Sequence, residues 1–176
     1  MQDFEFAIIA DGVDTDDETF VDRFFEAGCD DALVMIVKGN VVLQFTREAS
    51  NVAEAVASAI RDVHRAGARV RRIAPDSYVT ISDIAERSGL TRQAISLYAN
   101  AERGAGDFPR PLLRANTDSP LWDWLSVARW LDKNGKLPDD QSLEFAELVH
   151  DLNLHFENLD AGPSSRRNVA KLLEAV

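Results

Sequence analysis

One cysteine, three histidines and no long apolar run leave this chain few routes to chemistry. Cys29 stands alone, which excludes an internal disulfide framework and fits a reducing compartment. No window approaches the roughly 18 uncharged apolar residues of a membrane span, so none is expected. The opening MQDFEFAIIADG lacks the basic stretch of a secretory signal, and the expected location is cytoplasmic. His64, His150 and His155 fall on predicted helices with no cysteine, second histidine or carboxylate at metal-ligand spacing. No metal and no cofactor is expected. Asp30-Asp31 after Cys29 would raise the thiol pKa, which opposes a reactive thiolate. The run Asp14-Thr15-Asp16-Asp17-Glu18 lacks the full EF-hand loop and reads as an acidic helix N-terminus. P-loop, dinucleotide-binding and Gly-x-Ser-x-Gly patterns are missing as well. A non-enzyme is expected.

Negative charge is what the chain has in excess, with a formal net charge of −11, but it is unevenly spread. Residues 1–65 carry −9, residues 66–133 carry +2, and residues 134–176 carry −4. The basic residues of the middle stretch are nearly all arginine, the better fork for phosphates and guanine edges.

Three segments follow. Residues 1–75 read as β-α-β-β-α-β, an α+β ferredoxin-like plan. FEFAII (4–9) is a strand, Asp16 to Ala27 a helix stopped by Gly28, and 32–38 and 41–46 strands joined at Gly39-Asn40. Ser50 is placed to cap a helix from Val52 to about Ala66, and ARVRRI (68–73) is the last strand. Phe4, Phe6, Ile8, Leu43 and Phe45 are its expected core. Residues 77–133 hold a pair of short helices. Residues 134–176 read as a helical extension, one helix from about Gln141 to Asn158 and a short one from Ser164.

The helix pair carries the functional signal, in TISDIAERSGLTRQAISLYAN (80–100). Thr80 with Asp83 is a capping pattern; Gly89 supplies the positive φ of a sharp turn; Thr91 caps the next helix. Ile84, Ala85, Leu90 and Ile95 point inward. Outward on the second helix remain Arg92, Gln93, Ser96 and Asn100, residue types that bond base edges and phosphates. Trp122, Trp124 and Trp130 suit the core of so small a domain better than a stacking surface.

This stretch, continued by ERGAGDFPRPLLRANTDSPLWDWLSVARWL, resembles the winged helix-turn-helix of MerR-like and AlpA (excisionase-like) bacterial regulators over about residues 78–131. The resemblance implies a second helix that enters the major groove of double-stranded DNA, with Thr91, Arg92, Gln93 and Ser96 at the bases. It also implies a wing, placed at Arg103–Pro109, with Arg103, Arg110 and Arg114 on phosphates. It does not extend to a coiled coil or effector domain, so metal or drug sensing is not implied. The expected function is sequence-specific transcription regulation by a homo-oligomer, because one module offers few contacts. The alternative expectation is an antitoxin-like or adaptor protein whose acidic N-terminal domain captures a protein partner. A third is a DNA-bending accessory of the excisionase kind.

Overall fold

The computed structural model describes residues 1–138 and 140–160, and over these the chain is mixed α+β. It has six helices, a four-stranded antiparallel sheet and a two-stranded sheet among the described residues. Two compact units divide it: Met1–Ala74 with the chain from Asp151, and Pro75–His150. The segment expected to stand apart from residue 134 is thus shared between them. The helix expected from Ser164 lies outside the described residues.

The first unit runs β1 (Gln2–Asp11), α1 (Phe20–Glu26), β2 (Ala32–Val37), β3 (Asn40–Ala49), α2 (Val52–Arg65) and β4 (Arg69–Ala74). Its sheet has the order β2-β3-β1-β4, every neighbour antiparallel. Strand alternation sends Phe4, Phe6, Ile8 and Ala10 of β1 to the buried face. The register pairs Phe6 with Phe45 and Ile8 with Leu43, which places all five expected core residues on that face. Val52, Ala55, Val56, Ala59 and Val63 form the buried stripe of α2, at the spacing of one helix face.

Three local features differ from the sequence expectation. Helix α1 starts at Phe20 instead of Asp16, because Asp14 and Asp17 accept the amides of Asp16 and Thr19 two residues ahead. Such short-range bonds hold acidic side chains in turns and compete with helix. The β2–β3 turn is Lys38-Gly39, since Val37 pairs with Asn40. Both turn residues have positive φ, 51° and 81°, which suits the twist of a two-residue hairpin. Asn51, not Ser50, caps α2 by accepting the Glu54 amide. Ser50 bonds the Glu54 carboxylate instead.

One cation lies on the buried face. Arg47 donates to both carboxylate oxygens of Asp31 at 2.7 and 2.8 Å, to Asp62 at 2.7 Å and to the Gly28 carbonyl at 2.8 Å. Burial alone would lower the guanidinium pKa, but the hydrogen bonds it donates to the two carboxylates outweigh it and the net shift is upward. Nearby Cys29 is buried; that burial first, and then the Asp62 charge, push its thiol up to about 11.

The β4 edge is closed by a side chain. Helix α6 (Asp140–Asp160) carries Asn153, only 2% exposed. Its Oδ1 accepts the Ile73 amide at 2.8 Å and its Nδ2 donates to the Ile73 carbonyl at 2.9 Å. One side-chain amide thereby stands in for a neighbouring strand. Asn153→Ala leaves both buried backbone groups unpaired and is expected to destabilise this unit by roughly 2–4 kcal/mol. Urea unfolding followed by far-ultraviolet circular dichroism measures the loss, and hydrogen exchange at Ile73 locates it.

The second unit comprises β5 (Tyr78–Val79), α3 (Ile81–Ser88), α4 (Arg92–Ala99), β6 (Trp122–Asp123), α5 (Trp124–Lys133) and the first part of α6. Strand β5 pairs with β6, and the core gathers Val79, Ile84, Ile95, Tyr98, Trp130 and Leu131. Trp122 and Trp124 are buried there too. No helix among the described residues is long and apolar enough to cross a membrane.

Candidate nucleic-acid interface

Helices α3 and α4 are set by caps at each start and a glycine between them. The Thr80 amide donates to Asp83 Oδ2 at 2.7 Å, and Thr80 Oγ1 accepts the Asp83 amide, so two orphan donors of the first turn are satisfied. The backbone bond from Thr80 holds the Asp83 carboxyl below the ordinary aspartate range. Gly89 ends α3 at φ 69°, a left-handed conformation that a Cβ would strain. Leu90 is half-buried against the core, and Thr91 Oγ1 accepts the Ala94 amide to start α4. Ile95 and Tyr98 are the buried side of α4.

A cleft of about 440 Å³ opens on the other side of α4. Arg92, Gln93 and Ser96 line one wall; Thr80, Ile81 and Ser82, from the start of α3, line another. The third wall comes from a hairpin whose arms meet at Leu113 and Leu121. There the Leu113 amide donates to Leu121 at 3.1 Å and the Leu121 amide donates back at 2.9 Å. Its tip is a turn in which the Arg114 carbonyl accepts both the amide and the hydroxyl of Thr117. Asp118, Ser119 and Pro120 of that turn face the cleft.

The expected site residues separate on this geometry. Arg92, Gln93 and Ser96 come together in the cleft. Thr91 is occupied in capping, and Asn100 is the C-cap of α4, away from the lining. Arg103 lies with its guanidinium 5.2 Å over the Tyr98 ring. Arg110 and Arg114 are exposed and do not line the cleft; neither has an ion pair among the described residues. The segment expected as the wing, Arg103–Pro109, has no strand pairing: it is pinned to the core. Phe108 is buried, its ring 4.9 Å from Trp130, and Asp107 accepts the Trp130 indole N–H at 2.9 Å. Hairpin geometry occurs instead around NTDSP (116–120), whose run of turn-forming residues between two apolar pairs was the available signal. Thr80 was missed because capping was taken as its whole role, and Ile81 and Ser82 because nothing in their residue types marked them.

Comparison with protein-family models, with curated proteins and with solved structures found no match.

The Asp83 shift gives a pH dependence. A carboxyl whose folded pKa lies below its unfolded one stabilises the fold above the unfolded value, and the gain is lost as pH falls through the folded value. The second unit is therefore expected to weaken below about pH 4. Asp83→Asn is expected to flatten that acid limb while lowering stability at neutral pH. All three tryptophans belong to this unit, so fluorescence-detected urea unfolding at several pH values reads it selectively.

Proposed function

We propose that the chain is a sequence-specific double-stranded DNA-binding regulator that acts through the α4 cleft as a homo-oligomer. In this reading α3 and α4 are a helix-turn-helix, the Leu113–Leu121 hairpin is the wing, and the sheet unit is ferredoxin-like. The observation that carries it is the convergence of Arg92, Gln93 and Ser96 on one exposed wall, opposite a hairpin tip and beside a helix N-terminus. Arginine reads guanine and glutamine reads adenine through paired hydrogen bonds, and a helix start offers amides to a phosphate. Arg92 has no ion pair among the described residues, so no internal partner need be broken for it to bind. The role is binding, with no catalytic step.

Charge supports DNA over an adaptor role. The acidity of residues 1–65 motivates capture of a basic protein, yet Asp31 and Asp62 are held by Arg47, and Asp11 by Arg69 at 2.9 Å. Three of the fourteen carboxylates of residues 1–65 are thereby engaged by arginines of the same unit, although Arg47 is already counted in the −9.

Selection of bound sequences from random duplex DNA is expected to enrich one motif; a flat outcome at low salt would sink the proposal. On the enriched site, Arg92→Ala is expected to lose roughly 1–3 kcal/mol and to relax one base position. Arg114→Ala is expected to weaken all sequences alike and to reduce the salt slope by about 1. Gel shifts over a salt series separate the two behaviours.

A further inference from the structure

The two edges of the large sheet are finished differently. Asn153 closes β4, whereas β2 has no neighbour beyond β3 among the described residues. Proteins blunt a free edge with charge, proline, bulges or cover. Strand β2, ALVMIV, has none of the first two and pairs with β3 without a register shift. It is also unusually apolar for an edge: Leu33 is 60% exposed, Ile36 52% and Val37 44%.

We infer that β2 pairs antiparallel with β2 of a second copy of this chain, joining two four-stranded sheets across a twofold axis. The backbone pattern allows it. Asp31 accepts the Thr46 amide from β3, and antiparallel bonding alternates, so Val34 and Ile36 turn their amides and carbonyls to the open side, while the Ala32 amide donates to the Cys29 carbonyl. With Met35 on the axis, Val34 exchanges hydrogen bonds with Ile36 of the second copy. The same register sets each exposed Leu33 opposite the other copy's exposed Val37 on one face. Charge favours a copy over an unrelated strand. The strand itself is neutral, and its ends carry opposite signs, Lys38 after it and Asp30 before it, the intervening Asp31 being held by Arg47. Antiparallel self-pairing brings each Lys38 diagonally to the other copy's Asp30, twice per dimer.

The pairing requires no DNA, so sedimentation equilibrium of the full chain without DNA tests it apart from the cleft. The wild type is expected at twice the 19.5 kDa chain mass, and Leu33→Lys/Val37→Lys at the chain mass with an unchanged far-ultraviolet circular dichroism spectrum. Met35→Cys places two thiols at a close, non-hydrogen-bonded pair and is expected to form an intermolecular disulfide under mild oxidation. That cross-link decides the matter alone if the double variant does not fold. A monomeric wild type, a dimer that survives the double substitution, or failure of Met35→Cys to cross-link overturns the inference.

Discussion

The placement of α4 depends on one aromatic cluster. Tyr98 on that helix lies 5.0 Å from the Trp130 ring of α5, and Phe108 lies 4.9 Å from the same ring. A unit of this size has few residues with which to bury area, and rings supply most per residue. Trp130 also donates to Asp107, so the chain leaving α4 is held by an apolar and a polar contact at once. Gly104 lies close enough to Tyr98 that an added Cβ would meet the ring at 3.4 Å. The outward side of α4 is rigid because its inward side and its exit are both fixed. A binding face built this way loses little entropy when it meets a partner.

Charge counted along the sequence concealed a division among the arginines. Arg69, Arg71 and Arg72 made the middle stretch look basic, yet they belong to the first unit and pair with Asp11, Asp160 and Glu157. Arg129 pairs with Glu147, and Arg87 lies over the Trp124 ring and bonds the Asp76 carbonyl. Among the arginines of the middle stretch, Arg92 in the cleft and Arg103, Arg110 and Arg114 outside it have no ion pair among the described residues. Long-range attraction of DNA is therefore weak, and affinity on the proposed reading depends on short-range fit.

Legibility followed the range of the interactions. The order of elements in residues 1–75 was readable because alternation and helical stripes are repeated many times within each element. The Thr80 and Thr91 caps and the Gly89 turn were readable because each is complete within four residues. The hairpin was misplaced because glycines at 104 and 106 look like a turn, while their conformation serves the Tyr98 contact and the loop around it. The onset of α1 was misjudged by a similar confusion, since the same aspartates favour a helix start and a turn. Asn153 was invisible: its partner Ile73 is 80 residues away, and nothing local marks an amide that completes a sheet edge. The sorting of Arg92 from Arg103 likewise required knowing where the Tyr98 ring lies.

Asp118 bears on how an acidic chain could discriminate among DNA sequences. It lines the same cleft as Arg92, and on the proposed reading it disfavours a phosphate that enters without engaging the arginine. On this reading a carboxylate there costs least where the duplex engages Arg92, so the penalty falls mainly on sequences that leave the arginine unpaired. Specificity is a difference between affinities, and a repulsive element raises it by depressing the unwanted term. The net charge of −11 weakens binding to every duplex alike and leaves that difference unchanged. An acidic total is then compatible with the proposed function, with selection left to Arg92, Gln93 and Asp118 inside the cleft.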